Sequence, residues 1–457
     1  MKSVFFLFST LLRTTAFSFF KLDQHKRRLL FLITFLSMSS LTSKADTFIN
    51  ICDRGNIGFI IAYEVDPTCN LSTCCEKVSV EKMASIGLLY VFGRPVDSIP
   101  AFAFRGLTSL SILRLEGDNI SSISTNAFAG LPALKELSLN NNKITEFSEN
   151  TFAGLSSLER LYVNYNEGLT LTENAFVGLT SLKTLWLGNN KITSLPRKAF
   201  IGLTALEELY LGWNELTSIA DNAFAGLPSL KNLSFDFNQI DYISANAFLG
   251  LDSLKVLYLR KNKLVAIPSG ALKKIGVLEN LNIASNEITS IEPNAFAGFA
   301  NVEYLYLSGN KVSSLPANAF AGLVSRKGLK IDLSSNEISA ISPNAFFGVA
   351  SELEVWMSGN NITSIPTSAF SEPMSLKTLD LDNNKIQEVS VNDLGGFTSL
   401  VYLKLANNQV SSIQSNAFRR LDALRKLWIG SNKIKSISKI QTGISDNVDV
   451  YGVDLTP

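Results

Sequence analysis

The side chains that most often carry out catalysis are scarce in this chain. It contains one histidine, His25, and four cysteines that all fall between residues 52 and 75. The rest of the chain therefore cannot form a Ser-His-Asp or Cys-His arrangement or a His/Cys zinc site. Paired carboxylates exist, for example Asp380 and Asp382, but two acids on one exposed strand have no pocket to raise a pKa. The sequence thus predicts a protein that is not an enzyme and holds no metal or cofactor.

The cysteines are better explained as disulfides, because their number is even and they are clustered behind a secretion-like segment. Cys74 and Cys75 are adjacent, and neighbouring residues rarely reach disulfide geometry with each other. Two pairings therefore stay open: Cys52–Cys74 with Cys69–Cys75, or Cys52–Cys75 with Cys69–Cys74.

The first 45 residues have the pattern of a secretory signal. A basic cluster at residues 26–28 precedes an apolar run over residues 29–36, and a polar stretch ends at Ala45. The apolar run is shorter than the ~20 residues that a bilayer span needs. We expect cleavage after Ala45 and a secreted protein. The alternative is a type II membrane anchor through residues 29–41. No segment after residue 46 resembles a membrane span.

The charge of the chain argues against nucleic acid as a ligand. Residues 1–45 hold seven Lys/Arg and one acid, so the remainder has 34 bases and 39 acids and a formal net charge of −5. A mildly acidic body lacks the positive surface that binds phosphate backbones.

From residue 86 the chain repeats itself every 24 residues with the pattern LxxLxLxxNxIxxIxxxAFxGLxx. The ninth position is Arg94, then Asp118, then Asn in thirteen further units from Asn142 to Asn432. One step, Asn310 to Asn336, is 26 residues long. A period this regular over fifteen units predicts a solenoid in which each coil stacks on its neighbours.

Each part of the repeat has a physical role. The LxLxx segment predicts a short strand with one face in the core. The Asn amide, which both donates and accepts, is expected to satisfy the backbone of its own and neighbouring turns. A second apolar stack is formed by the phenylalanine of each AF pair, with Leu272 and Leu394 in the same place in two units: Phe104, Phe128, Phe152, Phe176, Phe200, Phe224, Phe248, Phe296, Phe320, Phe346, Phe370 and Phe418.

The repeat resembles the 24-residue typical class of leucine-rich repeats, found in Toll-like receptor ectodomains, variable lymphocyte receptors and Slit-type proteins. Over residues 86–437 the resemblance implies an α/β-type repeat solenoid: a horseshoe with a parallel β-sheet on its concave face and a mostly irregular or short-helical convex side. It also implies an N-terminal cap at residues 46–85, although the cysteine spacing differs from that of the family. Residues 438–457 form the expected C-terminal cap or tail, without the family's cysteines.

The outward positions of the strand segment, the third, fifth, seventh and eighth of each unit, are not dictated by the scaffold. All four tryptophans and most tyrosines fall there. Exposed aromatic residues in a row are typical of interface hot spots. The predicted ligand-binding residues are Tyr162, Tyr165, Trp186, Tyr210, Trp213, Phe237, Tyr258, Arg260, Tyr304, Tyr306, Trp356, Tyr402 and Trp428.

We therefore expect a secreted or cell-surface recognition module whose concave face binds a protein. The alternative function is a cell-wall or matrix protein that binds glycans or assembles with itself. The alternative explanation of the aromatic residues is structural, because such side chains pack well across neighbouring strands. Four N-x-S/T sequons are candidate glycosylation sites, and a glycan at the third of them would obstruct the predicted face: Asn70, Asn119, Asn232 and Asn361.

Overall fold

A computed structural model describes residues 48–49, 61, 78–92, 96–349, 352–370 and 375–456. The secretion-like segment, the four cysteines, Asn70 and Arg94 lie outside these residues. The signal, the disulfide pairing and the first member of the ninth-position series therefore stay predictions.

The described residues form a stack of coils around one parallel sheet of sixteen strands, in which the strands of sequential coils pair with each other. Each strand contributes three to five residues, with a leucine or its equivalent at the centre pointing inward. With strands numbered along the chain, the sheet contains β3 (Leu88–Phe92), β5 (Ile112–Glu116), β7 (Glu136–Ser138), β8 (Arg160–Tyr162), β9 (Thr184–Trp186), β10 (Glu208–Tyr210), β12 (Asn232–Ser234), β14 (Val256–Tyr258), β15 (Asn280–Asn282), β16 (Tyr304–Tyr306), β18 (Leu329–Asp332), β20 (Leu353–Trp356), β21 (Leu376–Asp380), β23 (Tyr402–Lys404), β25 (Lys426–Trp428) and β27 (Asp449–Tyr451).

The remaining elements are short and lie away from this sheet. Five parallel pairs of two- or three-residue strands join neighbouring coils: β4 (Ser98–Ile99) with β6 (Ser122–Ile123), β11 (Ser218–Ile219) with β13 (Tyr242–Ile243), β17 (Ser314–Leu315) with β19 (Ala340–Ile341), β22 (Glu388–Val389) with β24 (Ser412–Ile413), and β26 (Ser436–Ser438) with β28 (Asp454–Thr456). An antiparallel pair precedes them, β1 (Phe48–Ile49) with β2 (Val78–Ser79). The helices are α1 (Val80–Ser85), α2 (Ser269–Leu272), α3 (Lys439–Thr442) and a 3₁₀ turn (Thr367–Ala369).

The ninth-position asparagines form the predicted ladder. In a representative coil, Asn214 Nδ2 donates to the carbonyl of Leu187 in the preceding coil (2.8 Å) and to that of Leu211 in its own coil (3.0 Å). Its Oδ1 accepts from the backbone N–H groups of Asn190 and Ile192, both at 3.0 Å. Such an amide ties two coils together at a turn that water cannot reach, where an unpaired backbone group would cost about 1–3 kcal/mol. Asn190 departs from this pattern, because its Oδ1 accepts from Asn166 N while its Nδ2 has no partner among the described residues.

The phenylalanine stack is buried as predicted, and its spacing reports on curvature. From Phe104 to Phe248, consecutive ring centroids are 5.8–6.3 Å apart. Strands in a sheet are only about 4.8 Å apart. Neighbouring rings such as Phe176 and Phe200 are nearly parallel, so their displacement follows that of the coils. Because the coils are wider apart at the rings than at the strands, the sheet lies on the concave side of these coils.

The spacing is tighter in later coils. The centroids of Phe320 and Phe346 are 4.8 Å apart, and those of Phe346 and Phe370 are 4.6 Å apart. The convex backbones bond directly here, with Phe346 N donating to the Ala369 carbonyl at 3.0 Å, as Phe102 N does to the Asn126 carbonyl in an earlier coil. The coils in this part are therefore stacked almost parallel, with little local curvature.

Candidate ligand-binding surface

The fifth-position row of the sheet carries the longest run of aromatic side chains. Tyr162 and Trp186 pack edge to face with centroids 5.5 Å apart, and Trp186 packs on Tyr210 at 5.1 Å. Burial raises the pKa of the Tyr210 hydroxyl, and the nearby Glu208 carboxylate adds to this effect. These rings support one another across strands, so packing explains part of their presence here.

The predicted aromatic residues of the later coils form smaller groups. The centroids of Tyr304 and Tyr306 are 6.2 Å apart, and those of Tyr402 and Trp428 are 6.3 Å apart. Trp428 also stacks on Tyr451 of β27 at 5.3 Å. Trp356 is half-buried in β20. Tyr451 was not among the predicted residues, because its coil lacks the ninth-position asparagine that marks a repeat.

The eighth-position row lies just past the ends of the strands and has a different backbone. In the described coils from Gly117 onward this residue has a positive φ of 54–74°, the left-handed region. Most coils place Asn, Ser or Gly there, which tolerate this conformation. Four coils instead place a bulky residue: Tyr165 (φ 60°), Trp213 (58°), Phe237 (59°) and Lys261 (55°).

Three of these residues form one continuous stack. The rings of Trp213 and Phe237 are 3.8 Å apart and 9° from parallel. Lys261 Nζ lies 4.7 Å from the centre of the Phe237 ring, and Arg260 Cζ lies 5.5 Å from it. We call Trp213, Phe237, Arg260 and Lys261 the aromatic ridge. Trp213 is 56% exposed and Tyr165, two coils earlier, is 54% exposed.

Strand packing does not explain the ridge. The left-handed backbone costs an ordinary side chain about 1–2 kcal/mol, and a bulky residue there is an outlier. These residues also lie outside the strands, so their β-propensity brings no gain. Strain that folding does not require is typical of sites that serve binding.

Beside the ridge, the aromatic row has a gap at Ser234. The strand register places Ser234 between Tyr210 and Tyr258. Asn232 and Val256 lie two residues earlier on their strands, next to this row. These side chains line a shallow pocket of about 140 Å³. We call this pocket the Ser234 notch. Asp236 follows two residues after Ser234; burial raises the pKa of its carboxyl, while the backbone N–H group and the charge of Arg260 act in the opposite direction.

Asp380 and Asp382, the paired carboxylates considered for catalysis, are less exposed than the sequence predicts. Asp380 is buried and bonds Lys404 Nζ at 2.8 Å. The pKa of Asp382 is raised to about 6, mainly by burial and then by the charge of Asp380. The expectation that no pocket would raise a pKa here was therefore wrong, because the side chains of neighbouring strands shield this site. The charge of Asp380 is nevertheless neutralised by Lys404, which is typical of a structural ion pair.

Three of the candidate glycosylation sites lie on described residues. Asn119 is exposed, and Asn361 is half-buried. Asn232 is half-buried in β12, and its Nδ2 lies 3.5 Å from Glu208 Oε1. Over the described residues there is also no group of three or more His, Cys, Asp or Glu side chains placed to hold a metal ion.

Family models match most of the repeat region. A leucine-rich-repeat model matches residues 92–144, 108–167, 169–216 and 356–410, and one of the BspA-type leucine-rich-repeat region matches residues 217–348. A model of two leucine-rich repeats matches residues 398–442. No curated protein matches the chain significantly by sequence.

Solved structures share the fold at low identity. Toll in the Drosophila Toll–Spatzle complex has a TM-score of 0.66 and 23% identity over 75% of this chain, which spans 47% of that chain. A leucine-rich-repeat protein of Leptospira interrogans has a TM-score of 0.61 and 23% identity, over 83% of this chain and 93% of that one. The protein in the TLR13–ssRNA13 complex has a TM-score of 0.56 and 21% identity, over 81% and 73%. The period, the asparagine ladder, the parallel sheet and these matches together establish that the chain belongs to the leucine-rich-repeat proteins.

Proposed function

We propose that this protein is a secreted or cell-surface recognition module that binds a protein partner on the concave face, centred on Tyr165 and the aromatic ridge. The observation that carries the proposal is the row of bulky side chains held in the left-handed conformation, where the scaffold itself favours Asn, Ser or Gly. Large, rigid, exposed aromatic residues beside cations are the usual anchors of protein interfaces.

The likeness to solved structures supports this proposal. The structural neighbours include a Toll–Spatzle complex, which shows that this fold can present a ligand surface. Within the described residues, no helix is long and apolar enough to cross a bilayer. The secretory signal at residues 1–45, the disulfides and the glycans belong to the same proposal.

The test compares two sets of aromatic residues on the same sheet. The immobilised full chain is used to purify partners from cell-surface extract, with a Trp186→Ala, Tyr210→Ala, Trp213→Ala variant beside it. We expect at least about a hundredfold weaker partner binding from the triple variant, since central anchors each contribute about 2 kcal/mol or more. The melting temperature is expected to change little, because all three rings are partly exposed.

A Tyr402→Ala, Trp428→Ala variant is the matched control, since it removes aromatic residues from strands whose eighth-position residues are Asn407 and Ser431. It should retain the partner. Retention of the partner by the triple variant would contradict the proposal. A large loss of stability would instead identify these rings as packing elements. Ligands found only on a glycan array would favour the matrix alternative.

A further inference from the structure

The Ser234 notch lies near two outward carboxylates, those of Glu208 and Asp236, that form no ion pair among the described residues. Three glutamates occupy third positions: Glu136 pairs with Arg114 and Arg160, and Glu354 pairs with Lys330. Glu208 has no lysine or arginine nitrogen within 4 Å in the part of the chain that the structure describes. Its oxygens lie 3.5 Å from Thr184 Oγ1 and from Asn232 Nδ2, and the hydroxyl of Tyr210 also hydrogen-bonds to this carboxylate.

Asp236 lies two residues beyond Ser234, on the side away from Glu208, and likewise has no ion pair among the described residues. Its Oδ1 accepts from the backbone N–H of Arg260 at 2.8 Å. The Arg260 guanidinium lies over the Phe237 ring, and no ion pair within 4 Å joins it to Asp236 among the described residues. A half-buried carboxylate in this state gains more from a cation than a solvated one does.

The walls of the notch suit a flat cation. Tyr210 and Tyr258 stand two strands apart, about 9.6 Å at the backbone, with only the small Ser234 between them. The volume of about 140 Å³ equals about four to five waters, enough for one side-chain head group. Aromatic faces attract guanidinium groups, and carboxylates at both ends offer acceptors for its N–H groups.

We propose that the Ser234 notch binds an arginine side chain of the protein partner, with the guanidinium between Tyr210 and Tyr258 and its N–H groups donating to Glu208 and Asp236. This assignment rests on the proposed function, because the arginine belongs to the partner docked on the aromatic ridge. Arginine fits better than lysine, since its planar fork can stack on rings and donate in two directions.

The first experiment uses N-acetyl-arginine methylamide as the probe and its citrulline analogue as a neutral control of the same shape. Saturation-transfer NMR on the full chain at millimolar probe should show arginine binding at least about tenfold tighter than citrulline, as expected for charge-assisted hydrogen bonds. Equal binding of the two probes, or no transfer to the arginine probe, would overturn the proposal.

Two variants locate the site. Ser234→Tyr fills the notch with the residue that neighbouring strands already carry at this position, so the fold should persist while arginine binding is lost. Glu208→Gln should weaken arginine binding about tenfold or more and leave citrulline unaffected. Glu354→Gln, a third-position glutamate already paired with Lys330, is the matched control and should change neither. Unchanged arginine binding by Ser234→Tyr would contradict the assignment.

Binding of the arginine probe tests the notch assignment, and capture of the protein partner tests the proposed function. If the partner is captured through the aromatic ridge while the arginine probe fails, only the notch assignment is wrong. If the probe binds in the notch and no protein partner is lost from the triple aromatic variant, the notch stands and the proposed function fails.

Discussion

The coils around Trp213 and those around Phe346 follow the same repeat but differ on both of their faces. In the earlier coils, bulky side chains occupy the left-handed eighth position, and the phenylalanine rings are about 6 Å apart. In the later coils, Ser335, Gly359 and Asn383 fill the eighth position, and the rings are 4.6–4.8 Å apart. The later coils carry the residue types that the left-handed eighth position favours. The earlier coils carry bulky side chains at the same exposed position. Such local departures from otherwise consistent rules are expected at functional or strained sites, which is why the proposed binding surface is placed there.

The largest expected effect tests the ring spacing. Replacing Phe346 with alanine should lower the free energy of unfolding by about 3–5 kcal/mol, in the range for buried aromatic rings. Phe200→Ala should cost less, because Phe200 has its neighbours at 6.0 and 6.1 Å rather than 4.6 and 4.8 Å. Urea denaturation followed by circular dichroism measures both. A larger loss for Phe200 would show that ring spacing does not report on packing.

A smaller effect tests the left-handed row directly. Tyr165→Asn should raise the free energy of unfolding by about 1 kcal/mol, because it relieves backbone strain and Tyr165 is largely exposed. The reverse exchange in the later coils, Asn383→Tyr, should lower it by about the same amount. Trp213→Asn should change little, since relief of strain is offset by loss of the Phe237 stack, worth about 0.5–1.5 kcal/mol.

These three variants are measured together by thermal and urea denaturation. Destabilisation by Tyr165→Asn would mean that the tyrosine contributes to folding, and the contrast between the two regions would lose its functional meaning.

The smallest effect concerns Asp382 in the later coils. Its folded-state pKa of about 6 lies above the ordinary value of 3.8, so the folded protein holds this proton more tightly than the unfolded chain. The ionised carboxylate therefore lowers stability progressively as the pH rises from about 4 to about 6, and the full penalty is present above that. Asp382→Asn should raise the melting temperature by roughly 1–2 °C at pH 7, with no gain at pH 4.

Glu388→Gln, an exposed acid with no ion pair among the described residues, serves as the control for loss of charge alone. An equal gain for Asp382→Asn at both pH values would show that burial of this carboxylate does not affect stability.

The fold could be predicted from the sequence because it depends on local, repeated chemistry. The asparagines and phenylalanines recur every 24 residues, and each has one role that its side chain dictates. The strained row was also visible in principle, since Asn, Ser and Gly at most eighth positions indicate a left-handed turn where Trp213 and Phe237 stand out. A prediction from strand position alone gives all outward aromatic residues equal weight and does not separate these two from the rest.

Other features depend on distances that a repeat pattern does not carry. The raised pKa of Asp382 requires its burial and its proximity to Asp380. The ring spacing near Phe346 follows the 26-residue step at Asn336, but its size depends on how that longer coil packs. The sixteenth strand, β27, has no ninth-position asparagine and fell within the segment predicted as a C-terminal cap or tail.

The asparagine ladder has a consequence for how such a protein can diversify. Each amide bonds only its own coil and the one before it, as Asn214 does with Leu211 and Leu187. Junctions that carry this full set of bonds are chemically equivalent, so a whole coil can be duplicated or deleted there without new kinds of contact, whereas the Nδ2 of Asn190 lacks its partner in the described part of the chain. Each coil that is gained or lost changes the distance between the binding residues on either side of it by one strand spacing, about 4.8 Å. The distance between contacts can therefore change while the side chains that make them stay the same.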